Sequence, residues 1–249
     1  DFTINAIYYN IKNEEIIDPL GGLIDLKNKK IRSAEPYQVF ASDGLRLLRM
    51  VRFASELNFE IEEKTYSAAK EYHYLIKDIK SERIFEELNK ILISDKKYPD
   101  LTEGSFPHYR GLLELKELGL LPYIIPGIDL CYGVLQRADF HKYDVFLHIA
   151  QTVKFSDSSV RLAALLHDIG KGICYREKGN FYGHEKTGAA AAKEILGQQG
   201  LKCPKKLIDE TVFLIENHMK DLNCQTSKNK VKLFIAKNRN YLDKLLLLK

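Results

Sequence analysis

Ser42-Asp43-Gly44-Leu45-Arg46-Leu47-Leu48-Arg49-Met50-Val51-Arg52-Phe53 is the stretch on which the reading of this chain turns. Leu45, Leu48, Val51, Phe53, Ala54 and Leu57 recur at intervals of three and four, the period of a helix with one apolar face. The preceding Ser42-Asp43 pair suits the start of such a helix, because a short polar side chain can accept from its first free backbone N–H groups. Asp43, Arg46 and Arg49 recur every three residues, which predicts a shared helical flank, with Arg52 one turn further on. A carboxylate beside a guanidinium offers an acceptor and donors to the edge of a base. Cytosine and adenine carry an exocyclic amine next to an accepting ring nitrogen and fit that pair; uracil and guanine present the opposite pattern. The remaining arginines suit phosphates, which a planar guanidinium grips with two parallel bonds. Spacing alone leaves a second reading open, a solvated helix face with intrahelical ion pairs.

Upstream, Phe2, Ile4, Ala6 and Tyr8 fall on one parity, Asn13-Glu14-Glu15 is a polar turn, and Ile16-Ile17 return, which predicts a β-hairpin. Downstream of Pro36 the period is helical throughout. Helices are expected over roughly 62–75, 80–93, 110–119, 141–154, 159–168, 185–197, 205–218, 229–236 and 239–248. The Leu121-Pro122-Tyr123-Ile124-Ile125-Pro126-Gly127 punctuation is the best junction between domains. The expected fold class is therefore mainly α: a short β element at 1–35, an α-helical middle at 36–127 and a separate all-α domain at 128–249.

The 249 residues, 45% hydrophobic and 29% charged, argue against a disordered chain and leave room for one large domain or two to three small ones with buried cores. No apolar run approaches the roughly 20 residues that cross a bilayer, and no secretory leader pattern opens the chain. Cys131, Cys174, Cys203 and Cys224 show no CxxC spacing, so free thiols in a reducing cytoplasm are the default. The net charge of +4 permits an RNA partner without demanding one. The chain opens at Asp1 without a Met and closes at Lys249 within an apolar helical run, so it reads as a piece of something longer.

In the last domain, His148, the adjacent His167-Asp168, His184 and His218 fall on or beside separate predicted helices. Imidazoles and a carboxylate gathered from several helices are ligands for Mn, Fe, Ni, Zn or Co rather than for a hard cation in an oxygen cage. A divalent metal held there activates water toward phosphorus. Lys171, after the flexible Gly170, is the candidate catalytic residue that neutralises a phosphate. His73, His108 and His141 stand alone and read as satisfied polar residues.

Two resemblances follow from these residues. Asp1-Phe2-Thr3-Ile4-Asn5-Ala6, then Asp18-Pro19-Leu20-Gly21-Gly22-Leu23-Ile24-Asp25-Leu26, then the Ser42–Phe53 stretch and Ser81-Glu82-Arg83-Ile84-Phe85-Glu86-Glu87-Leu88 together resemble the class II tRNA nucleotidyltransferase and poly(A) polymerase family, the bacterial CCA-adding enzymes, over residues 1–125. The resemblance implies that Asp43 and Arg46 read the base of CTP or ATP, that Arg49 and Arg52 lie toward phosphates, and that Asp1 approaches the ribose. It also implies that Asp18, Gly21, Gly22 and Asp25 form a loop that lets the family's head tilt between C and A. Ser42 stands where the family has Glu. The family's Asp-x-Asp pair holding Mg²⁺ lies ahead of the Arg-Arg-Asp segment, so the chain as given is not expected to transfer nucleotides by itself.

Leu165-Leu166-His167-Asp168-Ile169-Gly170-Lys171 with His148 resembles the HD phosphohydrolase superfamily over 130–249, and many bacterial CCA-adding enzymes carry such a domain after the body. This resemblance implies a metal site of His148, His167 and Asp168, with His184 and His218 either completing a second metal or contacting substrate. The superfamily's last Asp follows an apolar leucine run; Asp243 precedes Leu245–Leu248 and does not match it. The combined expectation is part of a CCA-type nucleotidyltransferase acting on the tRNA acceptor end with CTP and ATP, carrying a metal-dependent hydrolase domain. An autonomous HD-type phosphatase or cyclic phosphodiesterase is the alternative, and a non-enzymatic tRNA-gripping body the third reading.

Overall fold

The computed structural model describes residues 1–136, 143–220 and 226–249. His141 and Cys224 lie outside the described residues. The chain forms two compact units, Asp1–Ile124 and Ile125–Lys249. Both are built mainly from helices, and no described helix is long and apolar enough to cross a membrane.

The first unit opens with a 3₁₀ turn over Thr3–Asn5, so Phe2 and Ile4 are not in a strand as their alternation predicts. The hairpin itself is shorter: β1 (Tyr8–Asn10) pairs antiparallel with β2 (Glu15–Ile17), Tyr8 opposite Ile17. Phe2 is buried and packs edge-on against Phe53, and that burial outweighs the β pattern. α1 (Gly22–Lys27) follows, with both carboxylate oxygens of Asp18 accepting from the Gly22 and Leu23 N–H groups at 2.7 and 2.9 Å. β3 (Lys30–Ile31) leads to α2 (Pro36–Ser42) and α3 (Leu45–Leu57), after which β4 (Glu60–Ile61) pairs parallel with β3. The rest is helical: α4 (Glu63–Glu71), α5 (Ser81–Leu92), α6 (Pro99–Thr102), α7 (Pro107–Glu117) and α8 (Leu121–Ile124).

α3 is the spine of this unit and packs against α5 and α7. Leu47, Leu48, Met50 and Val51 of α3 meet a core that includes Leu88 and Ile91 of α5 and Leu112 and Leu115 of α7, all fully buried. Each such side chain contributes roughly 1.5–3 kcal/mol of transfer free energy. Asp43 lies just outside α3 in an extended conformation (φ −159°, ψ 106°), so it does not share the helical flank of Arg46 and Arg49.

The second unit holds α9 (Val145–Phe155), α10 (Arg161–Leu166), α11 (Ile169–Lys178), α12 (His184–Leu196), α13 (Lys205–Asn217), α14 (Lys228–Asn238) and α15 (Leu242–Leu248). Asp144 caps α9 by accepting from Leu147 N–H at 2.7 Å. α11 is a helix that the periodicity does not announce, because Gly170 and Gly172 interrupt its apolar pattern. Gly170 is not a flexible link. A Cβ there would stand 2.1 Å from the His184 carbonyl oxygen and 2.5 Å from the Gly188 nitrogen, so only glycine lets α11 and α12 approach this closely. That approach brings His184 to Asp168.

Candidate metal centre and nucleotide face

Asp168 sits between α10 and α11 with its side chain 1% exposed, and imidazoles from four parts of the second unit converge on its carboxylate. Nε2 of His167 and His148 lie 3.1 and 3.3 Å from Oδ2; Nε2 of His184 and His218 lie 3.3 and 3.6 Å from Oδ1. The five residues form two groups able to hold a cation, His148–His167–Asp168 and Asp168–His184–His218, which share the one carboxylate. Asp243 belongs to neither group.

The ring orientations come from one repeated local device. Nδ1 of His167 lies 2.8 Å from the Ala164 carbonyl, that of His184 2.9 Å from Phe181, and that of His218 2.6 Å from Ile215, in each case three residues back. His167 and His218 stand at the C-terminal ends of α10 and α13, where carbonyls lack helical partners and accept readily. A nitrogen facing a carbonyl must carry the proton, so each neutral ring presents the lone pair of Nε2 inward. Four inward-facing nitrogens around a carboxylate repel one another and the carboxylate unless a cation or added protons lie between them.

The hydrogen-bond inventory fits that description. Neither oxygen of Asp168 receives a well-directed hydrogen bond, nor do Nε2 of His184 and His218, although all are buried. Lys171, almost buried on the first turn of α11, brings Nζ to 2.7 Å from Oδ2 and donates to Gln136 Oε1 at 2.8 Å. Burial pushes the Asp168 carboxyl up, but the charge of His167 and the ring nitrogens of His148, His167 and His184 pull harder the other way and hold it well below the usual carboxylate range. A buried carboxylate kept ionised, with oriented imidazoles and unfilled polar valences, matches a borderline divalent metal.

In the first unit the predicted nucleotide residues are brought together in part. Asp1 takes Arg46 Nε at 2.8 Å on Oδ1 and Arg49 Nη2 at 2.5 Å on Oδ2. Arg46 also donates to the Val39 carbonyl at 2.8 Å and to Ser42 Oγ. Asp43 accepts from Leu45 N–H at 2.9 Å and faces Arg83 at 3.3 Å rather than Arg46. Arg52 points elsewhere: it lies 2.5 Å from Glu87 and 2.8 Å from Glu56, all three nearly buried, with its guanidinium 4.1 Å from the Phe53 ring centre. Asp25, near Gly21 and Gly22, accepts from Thr3 Oγ1 at 2.6 Å and Arg32 Nε at 2.9 Å. Arg83, Glu56 and Glu87 escaped the reading of single motifs, since their partners are 35 to 40 residues away or one turn down the same helix.

Comparison with known proteins finds matches in both units. Residues 1–32 match the poly A polymerase head domain, residues 58–101 the probable RNA and SrmB-binding site of polymerase A, and residues 143–242 the HD domain. The A-adding tRNA nucleotidyltransferase of Deinococcus radiodurans is 31% identical, over 99% of this chain and 56% of its own length. The multifunctional CCA protein of Mannheimia succiniciproducens is 32% identical, over 88% of this chain and 52% of its own. The chain thus spans about half the length of the curated relatives it matches. Among solved structures, the CCA-adding enzyme of Bacillus stearothermophilus in complex with CTP has the same fold, with a TM-score of 0.60 at 24% identity over 97% of this chain and 51% of that one.

Proposed function

We propose that the chain belongs to the class II tRNA nucleotidyltransferase and poly(A) polymerase family and supplies the nucleotide-selecting and RNA-binding part of a tRNA 3′-end nucleotidyltransferase together with a metal-dependent HD phosphohydrolase domain. The substrates of the whole protein are then CTP or ATP and the tRNA acceptor end, with Mg²⁺ serving transfer, and its place is the cytoplasm. On this reading Asp43 and Arg46 meet the base edge, while Arg49 and Asp1 lie toward phosphate and ribose. The pairs that Arg46 and Arg49 now make with Asp1 are largely buried, so a nucleotide that takes the two guanidiniums must also give the Asp1 carboxylate a donor, which a ribose hydroxyl supplies.

The observation that carries the hydrolase half is the buried Asp168 carboxylate, ionised and lacking directed hydrogen bonds, inside a ring of imidazoles of which three are oriented by backbone carbonyls three residues back. His148, His167 and Asp168, with His184 and His218 on the other side, would hold Ni, Mn, Co or Fe. When bound, such an ion supplies Lewis-acid activation of water at neutral pH. Asp168 stays ionised to hold the ion, the Nδ1–H bonds fix the histidine tautomers, and Lys171 places an ammonium where phosphate charge must be offset. The test is hydrolysis of phosphomonoesters and 2′,3′-cyclic nucleotides by the full-length protein with each metal added in turn. Activity with at least one metal, lost in His167→Ala, is the expected result; inactivity with all of them removes the hydrolase half.

A further inference from the structure

His184 belongs to two features at once. Its Nε2 faces Asp168, and its side also lines a cavity of about 780 Å³ whose other walls include Leu135, Tyr175, Phe181, Tyr182 and Met219. That volume lies within the roughly 300–1,000 Å³ of small-molecule sites, and three of these walls are aromatic. The Tyr175 and Phe181 rings sit 5.7 Å apart at 35°, a slanted platform, while Tyr182 stands 86% exposed at the rim. Platform and cluster are joined by the single turn Phe181-Tyr182-Gly183-His184: the Phe181 carbonyl accepts from the His184 ring and from its backbone N–H at 3.2 Å. Asn180 Oδ1 accepts from Tyr182 N–H at 3.0 Å and holds the top of the turn.

We infer that this cavity is a base pocket, which takes the nucleobase of a nucleoside phosphate whose phosphate lies at the Asp168 cluster, with Tyr182 as a specificity-determining residue. The inference rests on the hydrolase reading above for where the phosphate lies. The occupant follows from the walls: flat π-faces, with Glu185 the acidic side chain among them, favour a stacked ring, and an anionic group is wanted one side chain away at the Asp168 cluster. A phosphate ester without an aromatic ring leaves the platform wet and gains nothing from it.

The experiment is calorimetric titration of the full chain with AMP and with ribose 5-phosphate, in wild type, Tyr182→Ala and Tyr182→Phe. Tyr182 is so exposed that neither substitution threatens folding. Expected is AMP binding about tenfold or more tighter than ribose 5-phosphate, with most of that preference lost in Tyr182→Ala and restored in Tyr182→Phe. Equal affinities in wild type, or an AMP preference indifferent to Tyr182, overturn the pocket; the second result would place the base elsewhere in the chain. Turnover separates this from the hydrolase reading. Where a nucleoside 2′-phosphate and glycerol 2-phosphate are both hydrolysed, Tyr182→Ala raises KM for the first alone; where neither is hydrolysed but the Tyr182-dependent AMP preference stands, the hydrolase reading fails and the pocket survives.

Discussion

Two buried knots of charge lie in this chain, one in each unit, and they are built in opposite ways. Around Arg52, two carboxylates meet two cations: Glu56 and Glu87 take the guanidinium, and Lys90 reaches Glu87 at 3.0 Å. Each carboxylate there has a cation against it, and the group ties α3 to α5. Around Asp168, one carboxylate with a single cation, Lys171 at 2.7 Å, faces rings that direct their Nδ1 protons to backbone carbonyls and turn bare nitrogens inward. The first knot is complete without a ligand and reads as architecture. The second is incomplete, and its cost to the ligand-free fold is what a bound cation would return. Burial and charge alone do not separate the two; whether polar valences are filled does.

The contrast can be broken at the Arg52 end. Arg52→Ala strands Glu56 and leaves Glu87 to Lys90 alone, and should cost about 3–5 kcal/mol, measured by urea denaturation of the full chain. A loss under about 1 kcal/mol would mean that water already serves these carboxylates. At the other end the metal adds a second readout. Asp168→Asn should lower metal-free stability, since it strands the nearly buried Lys171 ammonium and removes a carboxylate that the fold holds ionised. It should also abolish the roughly 2.7 kcal/mol that Mn or Co at a hundred times its dissociation constant adds to wild type. A variant still stabilised by metal would show that the ion sits elsewhere. The smallest stability effect belongs to the pairs on Asp1, where Arg49 stays against the carboxylate when Arg46 is removed: Arg46→Ala should cost no more than about 1 kcal/mol. The same substitution should erase a preference for CTP and ATP over UTP in equilibrium binding, and equal binding of these nucleotides by wild type would remove Arg46 from base selection.

Much of this was legible in the chain itself. The three-and-four spacing from Leu45 to Leu57 gives α3, because a helix packed on two others must present one continuous apolar stripe. The adjacent His167-Asp168 and the isolated His148, His184 and His218 mark the cluster, since histidines on separate helices gain chemical meaning only when they meet. Three things were not legible. α11 was hidden because its glycines answer to α12 rather than to helix propensity. Asp43 was counted onto α3 by its spacing, whereas its carboxylate turns back to Leu45 N–H and keeps it outside the helix. The ring tautomers depend on carbonyls left free by helix ends, which no spacing records.

The parallel pairing of β3 with β4 joins Lys30 to Glu60 and Ile31 to Ile61, with α2 and α3 inside the enclosed segment. Two residue pairs give little return against closing a loop of that length, whose entropic penalty grows with the logarithm of its size. The pairing is therefore a late event in folding, made only after α3 has its core, and it is lost when that core opens. The Glu60 and Glu62 amides, bonded to the Lys29 and Ile31 carbonyls at 2.9 and 3.0 Å, become reporters. Their hydrogen exchange measures the opening of the whole first unit rather than the fraying of a short strand.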